Sequence, residues 1–115
     1  MFDVDYYTLP NGQKPAKDFI DSLESKMKAK AAASIAVLEE YGNQLREPYS
    51  KPMGDGLFEL RIKLASDITR IFYFFVIGNK IILTNGFVKK TPKTPPGEIK
   101  LAKSYKADYE RRYGA

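Results

Sequence analysis

Between residues 57 and 88 the chain carries three apolar-rich runs, LFELRIKL (57–64), ITRIFYFFVI (68–77) and KIILTNGFV (80–88), separated by linkers of two or three residues. Linkers this short cannot bring a parallel strand back to its neighbour, so the three runs form an antiparallel meander. Gly78-Asn79 is a two-residue hairpin signal that pairs Ile77 with Lys80 and so sets Phe74 opposite Leu83, Phe72 opposite Asn85 and Arg70 opposite Phe87. With the polar positions of the first two strands on a common face, Glu59, Arg61 and Lys63 join Arg70, Phe72, Asn85, Phe87 and Lys89. The opposite face holds Phe58, Leu60, Ile62, Ile71, Tyr73, Phe75, Ile82 and Val88, and a surface that apolar demands a cover.

The upstream sequence supplies the cover. FDVDYYTL (2–9) alternates apolar and acidic residues like a strand with one wet face, and Pro10-Asn11-Gly12 ends it. From Pro15 the period lengthens: Phe19, Ile20 and Leu23 mark a short helix. Met27, Ala31, Ile35 and Leu38 mark a second one from about Lys26 to Tyr41, with Gly42 as its C-terminal cap. Residues 43–56, NQLREPYSKPMGDG, read as a long surface connection. After the prolines at 95 and 96, a last helix places Glu98 in its first turn, with Leu101, Ala102, Tyr105 and Tyr109 toward the body and Lys100, Lys103, Lys106, Arg111 and Arg112 toward water. The expected architecture is α+β in the order β-α-α-β-β-β-α, a helical hairpin on a small, mainly antiparallel four-stranded sheet with a C-terminal helix. All 115 residues are expected to form one domain.

Composition narrows the chemistry. Cysteine is absent, which excludes disulfides, thiolate metal sites and cysteine nucleophiles and suits a reducing cytoplasm. Histidine is absent too, leaving Lys, Tyr and carboxylates for any proton transfer near neutrality. No phosphate loop, nucleophile elbow or metal-ligand spacing is present, so no cofactor or metal is expected. The formal charge of +5 favours a polyanion or an acidic protein as partner. The acidic start MFDVDYYTLP is unlike a signal peptide, and IFYFFVIG is too short to span a bilayer, so a soluble, unprocessed chain without a membrane partner is expected.

Two basic clusters remain. Arg61 and Arg70 lie side by side on neighbouring strands and repel each other unless Glu59 or an external anion sits between them. A phosphate suits the planar forks of the two arginines, Lys63 and Lys89 add charge, and Phe72 and Phe87 offer a base a stacking surface. The plainer alternative pairs Arg61 with Glu59 or a C-terminal acid and leaves the aromatics in the core. The stretch GFVKKTPKTPP (86–96) is, taken alone, a solvated basic connection. Its position at the end of the strand beside Arg70 brings both clusters to one edge of the sheet.

The ordered set Glu59-Leu60-Arg61, Arg70 followed by Tyr73, and Phe87-Val88-Lys89-Lys90-Thr91-Pro92 leading into an amphipathic helix resembles the phage-associated HigB branch of the RelE/ParE toxin superfamily. The resemblance covers nearly the whole chain. It implies a type II toxin–antitoxin toxin, a ribosome-dependent mRNA endonuclease (an mRNA interferase) that works without a metal and is neutralised by a cognate antitoxin, often a helix-turn-helix protein. It also implies catalytic and RNA-binding roles for Arg61, Arg70, Lys89 and Lys90; Lys63, Phe72, Phe87 and Lys93 are expected as further RNA contacts from their places around the basic cluster, not from the resemblance. Some RelE-like toxins use a histidine or a C-terminal tyrosine, whereas this chain has no histidine. An arginine cannot act as a base at neutral pH, so Arg61 and Arg70 read as clamps on transition-state charge. Lys89 or Lys90, among like charges that depress a lysine's pKa, read as the proton-transfer groups. Tyr73 is a weaker choice because it faces the core. Related folds poison gyrase, as ParE does, or bind partners without chemistry, so a gyrase-directed toxin and a non-catalytic phage-derived binding module are the competing expectations.

Overall fold

The computed structural model describes residues 1–89 and 91–114. The elements are β1 (Asp3–Tyr6), α1 (Pro15–Asp21), α2 (Ser25–Tyr41), a 3-10 turn (Gly42–Gln44), β2 (Ser50–Gly54), β3 (Leu57–Leu64), β4 (Asp67–Val76), β5 (Lys80–Lys89) and α3 (Pro96–Tyr113). One sheet runs β1-β5-β4-β3-β2. β1 is parallel to β5 and every other pair is antiparallel. The α+β architecture matches the expectation, with one correction: the sheet has five strands, because β2 lies inside the stretch read as a surface connection. β2 is an edge strand containing Pro52, and of its five residues only Ser50 is buried. An edge strand of that composition carries no apolar alternation to reveal it. Its anchor is a side chain, for Ser50 Oγ lies 2.6 Å from the Tyr73 hydroxyl in the core.

The helical hairpin covers one face of the sheet. Ala16 and Ile20 of α1 and Met27, Ala31 and Leu38 of α2 are buried against Leu60, Ile62, Ile71, Tyr73, Ile81 and Leu83. α2 ends where Gly42 takes φ 50° and its amide donates to the Leu38 carbonyl. A Cβ at Gly42 would sit 2.0 Å from the Phe2 ring, so the cap also seats the start of the chain, whose Phe2 amide donates to the Glu39 carbonyl at 2.7 Å.

α3 covers the apolar part of the other face. Ala102 packs with Leu57, Phe72 and Phe87, and Tyr105 and Tyr109 pack with Tyr7, Phe74 and Ile82. Leu101, expected toward the body, is 40% exposed, and Ile99 fills that role instead. The side chains at 99, 102, 105 and 109 share one helical face, which rotates Leu101 away. Lys106 lies across the Phe74 ring, 5.7 Å from its centroid, with its ammonium on Glu110.

The hairpin between β4 and β5 departs from its expected register near the turn. Val76, not Ile77, pairs with Lys80, and Phe74 faces Ile82 rather than Leu83. A β-bulge then sets Phe72 across from both Thr84 and Asn85, since Tyr73 faces Leu83 while Ile71 faces Gly86. The extra residue in β5 restores the expected alignment beyond it, and Arg70 does face Phe87. Upstream of the bulge the faces are exchanged: Ile82 lies under α3, and Ile81 and Leu83 face the helical hairpin. Val88 lies past the helical cover and is 42% exposed. Among the described residues, no helix is long and apolar enough to cross a membrane.

Candidate functional site

α3 leaves one end of its sheet face open, and the basic residues gather there. β3 and β4 pair Arg61 directly with Arg70. Glu59 precedes Arg61 by two residues and shares its face. Its carboxylate is fully buried between the two guanidinium groups, with Oε1 at 3.1 Å from Arg70 Nε and 3.4 Å from Arg61 Nε. The second oxygen, Oε2, accepts a 2.8 Å hydrogen bond from the Thr94 hydroxyl. Of the two partners considered for the arginine pair, the internal one is therefore in place, and no C-terminal acid takes part among the described residues.

The two arginines differ in access. The Arg70 side chain is 8% exposed and that of Arg61 24%. Burial lowers the pKa of Arg70 and Arg61 lowers it further, against the opposing pull of Glu59. The contact between Arg70 and Glu59 is an ion pair not aligned as a hydrogen bond, since Arg70 Nε is a buried donor without an acceptor in line. The more exposed Arg61 is the member of the pair whose guanidinium is open to an incoming anion.

Lys89 ends β5 opposite Ile68 and is half-buried. Burial depresses its pKa below the ordinary lysine value, and Arg70 and Arg61 push in the same direction. The like-charge effect expected from sequence is real but comes second to desolvation. Lys63 is exposed on β3, two residues beyond Arg61, and Lys93 is exposed in the connection that carries Thr94. Lys90 lies outside the described residues.

Phe72 and Phe87 are not a stacking surface. Phe72 is fully buried and Phe87 is 8% exposed, with their rings 5.7 Å apart beneath Ala102 of α3. The helix that completes the fold occupies the faces a base needs, so the RNA contact expected of these two rings is not available. Lys51, which no sequence pattern singles out, is set beside Glu59 by the β2–β3 register. Only pairing of β2 brings it to this face.

Arg61, Lys63 and Arg70 also line one end of a cleft of about 910 Å³ between α2, the segment 44–49 and the sheet. Two guanidinium groups lining a cleft have the geometry to take a phosphate, and a lysine with a depressed pKa gives up its proton more readily than an ordinary lysine.

A family model described as phage-derived protein Gp49-like (DUF891) matches residues 18–106, a span that holds the arginine pair, Glu59, Lys89 and Thr94. No curated protein matches the chain.

Proposed function

The chain belongs to the phage-derived Gp49-like family, and from that premise we propose that it is the toxin of a type II toxin–antitoxin pair, a ribosome-dependent mRNA endonuclease of the RelE/HigB kind. One observation carries the reading: Arg61 and Arg70 face each other at the uncovered end of the sheet, with Lys89 in their electrostatic reach.

The reaction is transesterification. The ribose 2′-hydroxyl gives up its proton, its oxygen bonds to phosphorus, and the bond from phosphorus to the 5′-oxygen breaks as that oxygen takes up a proton. The products are a 2′,3′-cyclic phosphate and a 5′-hydroxyl. Arg61 and Arg70 hold the non-bridging oxygens and offset the charge that grows on them in the phosphorane. Lys89, held low in pKa by burial and its neighbours, accepts the first proton or returns the second, and Lys90 adds positive charge or shares that role. Glu59 sets the two guanidinium planes and keeps them together before substrate arrives. Lys63 and Lys93 take backbone phosphates on either side. So few reacting groups suffice when the ribosome aligns the messenger, because orientation then comes from the ribosome's grip on the codon. The partner that restrains the toxin is a cognate antitoxin, in this family setting a helix-turn-helix protein.

Mapping 5′ ends of cellular mRNA after brief induction tests the reading. In-frame cuts inside translated regions are expected from the wild type, and none from folded Arg61→Ala. Intact mRNA together with DNA damage would instead assign the chain to gyrase poisoning.

A further inference from the structure

Eight large apolar or aromatic side chains are exposed among the described residues, and three of them, Val37, Tyr41 and Tyr49, line the cleft that ends at Arg61 and Arg70. Tyr49 is 61% exposed and Tyr41 48%. Exposed apolar and aromatic side chains that share a cleft with guanidinium groups mark a binding surface. The position of Tyr49 is fixed from both sides: its carbonyl accepts from the Arg61 amide at 2.8 Å and its own amide donates to the Arg46 carbonyl at 2.9 Å. The Arg46 side chain in turn caps the Asn43 carbonyl at 2.7 Å. The ring is thus presented from a braced turn one strand away from the arginine pair. Glu47 is the one acid among the described lining residues.

We propose that the apolar part of this cleft is a nucleobase pocket. A nucleotide adjoining the scissile phosphate stacks its base on Tyr49, with Tyr41 and Val37 closing the far side, while its phosphate rests on Arg61 and Arg70. The inference rests on the RNA-directed reading above and adds to it where the base goes, now that Phe72 and Phe87 are excluded. Both halves of the cleft argue for this occupant: a free phosphate uses only the arginines, an uncharged apolar ligand only the rings, and a nucleotide uses both. A volume of about 910 Å³ lies within the roughly 300–1,000 Å³ of sites that enclose small ligands.

The test uses a fluorescein-labelled hexaribonucleotide with 2′-O-methyl groups, which binds but cannot be cut because its nucleophile is blocked. Anisotropy titrations compare the wild type with Tyr49→Ala, Tyr49→Phe and Arg61→Ala. Losing one stacked base weakens binding about 10-fold in Tyr49→Ala, with the salt dependence unchanged and Tyr49→Phe close to wild type. Arg61→Ala weakens binding and lowers the salt slope by about 0.7. Inorganic polyphosphate, which has no base, binds wild type and Tyr49→Ala equally. The proposal is overturned if wild type does not bind the hexamer, if Tyr49→Ala binds as tightly as wild type, or if Tyr49→Ala loses polyphosphate to the same degree. Tyrosine-dependent binding of poly-glutamate in place of the oligonucleotide overturns it too, and assigns the cleft to an acidic peptide. Messenger cuts in cells with no role for Tyr49 in binding remove the pocket and leave the nuclease. Tyrosine-dependent binding without cuts removes the nuclease and leaves the pocket.

Discussion

Replacing Glu59 with glutamine keeps the shape of the side chain and an oxygen for the Thr94 hydroxyl, but it removes the charge that lies 3.1 and 3.4 Å from two guanidinium groups. Breaking a buried ion pair by taking away one partner costs about 3–5 kcal/mol, because the remaining charge stays buried. Arg70, at 8% exposure, meets that condition, whereas Arg61, at 24%, turns partly to water. The expected loss is therefore at the low end, about 3 kcal/mol, or roughly 10–15 °C in Tm for a chain of this size. Urea unfolding followed by circular dichroism measures it. The two arginines left facing each other then form a stronger anion site than in the wild type, so added inorganic phosphate raises the Tm of Glu59→Gln more than that of the wild type. A variant within about 0.5 kcal/mol of wild type, the range of an ordinary surface change, refutes the claim that this carboxylate holds the arginines together. Equal stabilisation of both proteins by phosphate refutes the claim that the gap between the arginines is an anion site.

Arg61→Ala, at the more exposed member of the pair, should fold normally and lower messenger cleavage by about 100-fold or more, the usual effect of removing one donor to a transition-state oxyanion; cleavage within a few-fold of wild type counts against the clamp. The folded-state pKa of Lys89 is depressed from 10.5, so the unfolded chain binds more protons in the window between the folded and unfolded values, and stability rises with pH across it. Lys89→Met should accordingly be more stable than wild type at neutral pH, with the difference fading above about 10.5, while its cleavage activity is lost; equal stability of the two proteins across that range removes the electrostatic account. Tyr7 has its pKa pushed up to about 12, first by burial and then by its hydrogen bond to Asp108. Spectroscopic titration should find it late among the tyrosines, and in Asp108→Asn its midpoint should fall. Gly86→Ala would place a Cβ 2.5 Å from the Phe19 ring and 2.9 Å from the Arg70 carbonyl, so a loss of about 1–3 kcal/mol in chemical unfolding is expected, and an unchanged midpoint argues against close seating of α1 on β5.

Much of the fold was legible because its signals are local. Three strands with short linkers leave little topological choice, and the apolar spacing of Met27, Ala31 and Leu38 states which face of α2 is buried. β2 was not legible, since its one buried side chain is a serine that meets a tyrosine 23 residues away. The register of β4 on β5 was legible at Arg70 and not at Phe74, because a bulge compensates for a turn one residue longer than its sequence signal. The same limit applies at the site. The pairing of Arg61 with Arg70 followed from alternation, whereas the burial of Phe72 and Phe87 depended on where α3 lies, which no pattern within β4 or β5 contains.

The sequence by itself determined the helices and four of the five strands, the face of β3 and β4 that takes the helical hairpin, the concentration of positive charge at one end of the sheet, and the absence of any cysteine or histidine chemistry. These follow from residue type and from spacings within a single element. The tertiary structure alone decided that Glu59 and Thr94 meet the arginine pair, that desolvation outweighs like charge at Lys89, and that the exposed rings beside the arginines are Tyr41 and Tyr49. Each of these depends on distances between segments far apart in the chain, and those distances are set by how the helices close over the sheet.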